Sequence, residues 1–340
     1  MTLLNIYFSF RFNNLSHNHM YKLTDFKQKI KITDSSVDCP IKFCNFNVER
    51  QRKVFRCLDK FKCPIHNIYI SPSTIEYFSE SDNLLWTDKK DQALLKKIKT
   101  VKRESRISRE NSEDAVTWNV FRYLERNNLL NNLLTLISDE QHNSVELILW
   151  SYSQRENSGW LLLNEARSEF GENIKRGSEP DIIIITDKTL FFIEAKVQAS
   201  NNTIPSNPNN KKNYVEGGQN WFSQVFNSDY QTIAISNKKY ELMRFWLLGS
   251  WIAKELSLNF QLINLVLIDK ELLIVNEFGK YIRSDSTKKF SRLTWEDIYR
   301  MIRDLNKVDN ETESVLNYFK NKSAGFGSTG KLRKRFKSIN

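Results

Sequence analysis

Two apolar segments, DIIIIT at 181–186 and LFFIEAKV at 190–197, constrain this chain more than anything else in it. Both are short, rich in β-branched and aromatic residues, and apolar on both faces. Each therefore reads as a strand inside a sheet that helices cover on both sides. Between them Asp187-Lys188 supplies a two-residue turn, which pairs Thr186 with Thr189 and, counting back, sets Asp181 opposite Glu194. Opposed side chains in an antiparallel pair lie about 5 Å apart at Cβ. Two carboxylates at that distance repel, and a divalent cation bridging them removes the conflict; oxygen ligands of this kind suit Mg²⁺ or Mn²⁺. Lys196 leaves its strand on the same face as Glu194 and brings a cation beside the metal. Such a set activates water against a phosphodiester.

An acidic residue two before a lysine also occurs at Asp25-Phe26-Lys27 and Asp88-Lys89-Lys90, but neither closes an apolar run. Only the third does, and only it follows a Pro-Asp that opens another. Pro180-Asp181 with Glu194-x-Lys196 resembles the motif of the PD-(D/E)XK nuclease superfamily, whose members share the restriction-endonuclease-like fold. The stretch NSEDAVTWNVFRYLE at 111–125, with residues 63–77 and 83–86, is similar to a bacterial group within that superfamily. The resemblance implies a Mg²⁺-dependent endonuclease, with restriction or defence against foreign DNA as the expected role and repair and recombination nucleases in the same pool. It also implies a further acidic residue on the helix ahead of the hairpin, for which Glu113 is the best match and Asp114 the fallback. First-turn acids also favour the helix macrodipole without doing chemistry, so both readings of Glu113 stand. A polar residue on the helix after the third motif, Gln219 or Gln224, is implied in the same way, against plain solvent exposure. Glu179 is either a neighbour of the metal site or a structural partner of Lys196.

Fifty-one basic against 40 acidic residues give a net charge of +11, which points to a polyanion as partner. The excess gathers in Lys96–Arg109 and Lys331–Lys337, each a phosphate-binding strip or a solvated face. Arg244 is a further candidate for a phosphate, while Trp246 and Trp251 read as core. DNA is the expected nucleic acid, and a homodimer is the expected assembly if both strands are cut at one place. No stretch reaches the roughly 20 apolar residues of a membrane span. Nor do the first nineteen residues carry the features of a signal peptide, so a soluble, cytoplasmic protein with reduced cysteines is expected.

The four cysteines fall in the first 63 residues. Cys63-x-x-His66 has the spacing of half a zinc site and Cys39-x4-Cys44 that of another half; Cys57 competes for a place, and small cysteines also pack in cores. The expected organisation is a disordered extension at 1–19, a small module at 20–87 with the ligand spacing of a zinc ribbon, a nuclease domain at 88–320 and a basic flexible tail at 321–340. Within the domain a basic helix over 88–110 precedes a helix over 113–126, and helical patterns follow at 129–137, 216–226, 239–256, 295–305 and 313–320. Strands are expected at 262–268 and 272–276, with 145–152 open between strand and helix. Residues 200–213, polar with two prolines, form a loop that either closes over substrate or stays disordered. The Gly325–Lys331 stretch superficially matches a phosphate-binding loop, but Leu332 stands where a Ser or Thr is required. The fold class is α/β, a mixed sheet flanked by helices. Nucleic-acid binding without catalysis, or a scaffold role, are the alternatives to a nuclease.

Overall fold

A computed structural model of the chain describes residues 20–52, 54–138, 140–207 and 210–339. The expected extension at 1–19 lies outside the described residues.

Short apolar pieces separated by turn residues open the described chain, and they form short strands. β1 (Ser36–Asp38) pairs antiparallel with β2 (Asn47–Glu49), and β3 (Lys62–Cys63), β4 (Ile68–Ile70) and β5 (Ile75–Tyr77) make a three-stranded antiparallel ribbon. Alternation turns Val37, Val48, Ile68, Ile70, Ile75 and Tyr77 inward, where they meet Phe26, Ile30 and three cysteines. The cluster is small, and Phe326 from the far end of the chain completes it.

Helix α1 (Lys89–Val101) starts at Asp88, whose carboxylate accepts from the amides of Lys90 and Asp91. It ends nine residues short of the charged segment expected to be helical, and 102–112 run as turns and irregular backbone. Ser112 caps α2 (Glu113–Arg126), in which every residue from Ala115 to Leu124 is buried. The apolar stripe at Val116, Val120, Phe121 and Leu124 accounts for one side. The other carries Asn119 and Arg122, satisfied by the amide of Leu85 and the carboxylate of Asp91.

The main sheet follows: α3 (Leu130–Leu134), β6 (Val145–Leu149), β7 (Tyr152–Ser153), β8 (Ser158–Gly159), α4 (Leu161–Glu169), β9 (Ile182–Thr186), β10 (Thr189–Ala195), α5 (Lys211–Val225), α6 (Tyr240–Glu255), β11 (Asn259–Val266), α7 (Ile274–Gly279) and β12 (Lys288–Thr294). Its seven strands run in the order β12-β11-β10-β9-β6-β7-β8, parallel at β12/β11/β10 and antiparallel across the rest. Helices cover both faces, so the chain is a mixed α/β protein. The hairpin register is the one read from the sequence: Leu190 opposes Ile185 and Ile193 opposes Ile182. Period-two alternation then divides the strands between two cores. Ile182, Ile184, Phe191 and Ile193 pack against α2, whereas Ile183, Leu190 and Phe192 pack against α4, α5 and α6. By the same alternation Asp181, Glu194 and Lys196 point to the α6 side.

Several expectations are corrected. Residues 272–276 are not a strand: α7 begins at Ile274, and of this apolar run only Ile274 is buried while Leu272, Leu273 and Val275 are left exposed. Strand β12, mostly polar on one face and at the sheet edge, and α4 carry weak patterns and were not anticipated. The tail is not flexible: after α8 (Trp295–Asp304) and α9 (Asn310–Asn321), β13 (Ser323–Phe326) and β14 (Leu332–Lys334) form a hairpin, and Phe336 and Ile339 are buried in the main core. The hairpin lies on the N-terminal module, with the amide of Phe326 donating to Ser73 O and that of Leu332 to Gln28 O. Gly325, at φ +71°, comes so close that an added Cβ would sit 1.8 Å from Ser73 O. Gly330, at φ +76°, approaches Ile30 in the same way, an added Cβ there sitting 2.1 Å from Ile30 O. No helix among the described residues is long and apolar enough to cross a membrane.

Module and domain are joined through a buried polar knot. Lys322 lies 3.1 Å from Glu110 with both side chains almost fully buried, and Glu110 also accepts from the Tyr77 hydroxyl and the Ser323 amide. Lys322 donates as well to Asn83, whose own amide reaches the carbonyls of Ile107 and Arg109. Lys322→Met leaves Glu110 buried without its partner, a change expected to cost roughly 3–5 kcal/mol in urea unfolding. Lys337→Ala, removing an exposed ion pair to Asp269, is expected to cost under about 1 kcal/mol.

Candidate active site

Asp181 enters the site as the chain turns into β9. Its Oδ2 accepts from the amide of Ala195 at 3.0 Å, fixing it across the hairpin beside Glu194. Its Oδ1 accepts from Trp150 Nε1 at 3.2 Å. Trp150 and Ser151 both hold left-handed backbone, φ 47° and 72°, at the turn after β6. Such residues cost about 1–3 kcal/mol each and persist only where the surroundings impose them. Here the Trp150 amide is tied to Asp181 O, the Ser151 carbonyl accepts from Trp160, and Ser151 Oγ receives Arg167. Arg167, itself buried, also holds the carbonyl of Ser178 and so fixes the approach to Pro180-Asp181.

Glu194 is 3% exposed, and its Oε2 has no hydrogen-bond partner. Its Oε1 meets the Lys196 ammonium, which lies 3.0 Å from Glu241 on the first turn of α6. Burial and then the charge of Asp181 push the Glu194 carboxyl well above the usual range, with Lys196 pulling against them. Burial likewise raises Asp181 to about 7, opposed by Lys196 and Lys102. Burial opposes the charge on Lys196, yet Glu194, Glu241 and Asp181 hold its ammonium well above the ordinary lysine value. The cluster thus confines more carboxylates than its cations satisfy. A buried carboxylate oxygen without a partner, beside a second carboxylate, is a donor set that fits a hard divalent cation.

The structure gives Glu113 a different task from the expected one. Its Oε1 accepts from the amides of Val197, Gln198 and Ala199 at 2.8, 2.8 and 3.1 Å. The reason is the choice of face: α2 packs on the side of Phe191 and Ile193, opposite to Glu194, so its first residue meets the chain only as it leaves β10. Asp114, the next residue, turns toward the site. It lies 3.1 Å from Lys102 Nζ, accepts the amide of Arg106, and its charge helps raise Asp181. Glu179 pairs with Lys102 at 3.6 Å rather than with Lys196. Lys102 also rests 4.5 Å over the Trp150 ring, which ties the end of the basic segment to the strained turn.

A cleft of about 240 Å³ opens here, lined by Lys102, Arg103, Arg106, Asp114, Glu241 and Arg244 among others. Arg244 is half-buried, 3.7 Å from Glu172 and over the Tyr240 ring, with its Nε unpartnered. Other members of the basic runs are engaged locally: Lys99 with Glu80, Arg109 with Glu76, Arg333 with Phe326 O and Arg335 with Val197 O. Gln219 is exposed, Trp246 is core and Trp251 is half-buried. The loop after Lys196 is pinned at its start, since the Asn201 amide donates to Glu271 and its side chain bridges Asn264 and Glu271. No family model matches the chain, and neither does any curated protein or solved structure.

The four zinc-candidate residues also converge. Cys39, Cys44, Cys63 and His66 place one donor atom each within 4.8 Å of one another, whereas Cys57 is exposed and faces Glu76. Trp150 and Glu241 escaped the sequence reading because nothing local marks them; each acts across the fold. Calorimetric titration with Mn²⁺ separates the two acidic neighbours of the motif. Asp181→Asn is expected to weaken binding at least about tenfold, or 1.4 kcal/mol. Glu113→Gln, which keeps an acceptor for the three amides, is expected to leave it nearly unchanged.

Proposed function

We propose that this protein is a metal-dependent nuclease of the PD-(D/E)XK type, acting on DNA, and that its mixed sheet is the restriction-endonuclease-like one. The observation that carries the reading is the half-buried Asp181 opposed across the hairpin to the buried Glu194, with Lys196 on the same face and Glu194 Oε2 unpartnered. Asp181 and Glu194 would hold Mg²⁺ or Mn²⁺, with Asp114 close by. When bound, such a cation neutralises phosphate charge and lowers the pKa of its water.

The remaining work falls to the chain's own residues. Lys196 keeps its proton and presents a fixed positive charge, suited to the negative charge that develops as a phosphodiester is attacked. Trp150 and the Ala195 amide hold both oxygens of Asp181 in place. Arg103 and Arg106 line the cleft, exposed, and offer cations to a phosphate backbone, while Lys102 beside them is held by Asp114 and Glu179. Four free cysteines among the described residues fit a reduced, cytoplasmic setting, in which restriction of or defence against foreign DNA is the role proposed. Cutting both strands at one place would call for a homodimer.

One observation favours a different reading. Lys196 is clasped by two carboxylates, as a purely structural lysine would be. On that reading the protein binds nucleic acid, or serves as a scaffold, without cutting.

Incubation of supercoiled plasmid, single-stranded DNA and RNA with the purified chain, in Mg²⁺, Mn²⁺ or EDTA, decides between them. Metal-dependent cleavage of DNA is expected, falling at least about 10²-fold in Glu194→Ala and in Lys196→Ala. Cleavage of RNA alone would correct the substrate. No cleavage, or variants that cut like the parent, would overturn the proposal.

A further inference from the structure

The N-terminal module contains a second metal-ligating set, independent of the nuclease reading. Cys39 follows β1, Cys44 ends the turn that leads back toward β2, and Cys63 and His66 bracket the tight turn between β3 and β4. Two turns from separate pairs of strands thus present their donors to one point. Cys39 Sγ lies 3.5 Å from His66 Nδ1, Cys63 Sγ 3.6 Å from the same nitrogen, and the sulfurs of Cys44 and Cys63 are 3.9 Å apart. A tetrahedral zinc with Zn–S near 2.3 Å and Zn–N near 2.0–2.1 Å requires about 3.8 Å between sulfurs and about 3.6 Å between sulfur and nitrogen. Three of the six donor pairs stand at about those separations and all six lie within 4.8 Å, while the Cys44–Cys63 sulfur distance is far beyond the roughly 2.05 Å of a disulfide.

We infer that Cys39, Cys44, Cys63 and His66 bind one structural Zn²⁺. Three thiolates and an imidazole form a soft tetrahedral set, which selects zinc over the hard cations suited to Asp181 and Glu194. All four positions are filled by protein, so none is left for water or substrate, and the three cysteines are buried. The centre is therefore closed and structural. The module needs it: its strands span two or three residues each, and its core is a thin layer around Phe26, Ile30, Ile68 and Ile70. A segment of that size seldom holds its shape without a staple.

The consequence reaches beyond the module. The C-terminal hairpin is laid on it through Ile30, Gln28 and Ser73, and the chain just after that hairpin sends Arg335 to the carbonyl of Val197, next to Lys196. Loss of the metal is thus expected to loosen 20–77 and 323–334 together while β9–β11 stay protected.

The test is metal analysis of the full chain, purified without added metal and again after Zn²⁺ loading. About one zinc per chain is expected, and Co²⁺ substitution should give the intense visible bands of tetrahedral thiolate coordination. Cys44→Ser and Cys63→Ser should lose the metal, while Cys57→Ser keeps it. Since the first two variants risk misfolding, hydrogen exchange on the parent chain, before and after zinc removal by a thiol-reactive mercurial and a chelator, gives a second readout. Selective loss of protection at 20–77 and 323–334 supports the inference. A folded chain that takes up no zinc, a Cys44–Cys63 disulfide in its place, or equal metal loss in Cys57→Ser would overturn it.

Discussion

A buried carboxylate, Glu194, opposed by the half-buried carboxylate of Asp181 at one end of an apolar hairpin is the constraint on which the rest of this structure depends. Asp181 and Glu194 are brought together by strand register alone, and register is fixed because a slip of one residue would exchange the α2 and α6 faces of every apolar side chain in β9 and β10. Placing charge there is costly unless it is compensated. Around it the chain assembles Lys196, Trp150, the Ala195 amide and, one contact further out, Lys102. Even so, Glu194 Oε2 has no partner. That imbalance is the physical content of the metal-site reading.

The two ends of the chain support this centre by folding back on each other. The module at 20–87 does not close its own core; it borrows Phe326, and the Glu110–Lys322 pair links it to α2 and α9. Arg335 then reaches Val197, and Glu113 receives the three amides that follow Lys196. The chain leaving β10 is therefore gripped from two sides. Much of the charge that looks from composition like a nucleic-acid strip is spent on such internal contacts, Lys102 included, while Arg103 and Arg106 stay exposed at the cleft.

The hairpin, its register, the helices at 113–126 and 239–256 and the convergence of Cys39, Cys44, Cys63 and His66 were legible because each rests on local pattern: alternation, helical spacing or short ligand spacing. The hydrogen bonds of Glu113 to the amides of 197–199 have a cause that no linear pattern contains. Which side of the sheet a helix covers decides whether its first residue meets the carboxylates or the chain beyond them, and α2 covers the far side. Trp150 was hidden because its part depends on a left-handed turn at a non-glycine residue, and Glu241 because α6 brings it in from 45 residues beyond Lys196. The tail read as flexible because glycine and lysine are common in linkers; the close approaches of Gly325 to Ser73 and of Gly330 to Ile30 explain those two glycines otherwise.

The most direct test of the central claim is a crystal structure of the chain soaked in Mn²⁺, with the metal located by its anomalous scattering. The account predicts a peak at coordination distance from carboxylate oxygens of both Asp181 and Glu194, with Glu113 still turned to the amides of Val197, Gln198 and Ala199. No peak at that position at saturating Mn²⁺, with Glu194 still held by Lys196, would contradict it.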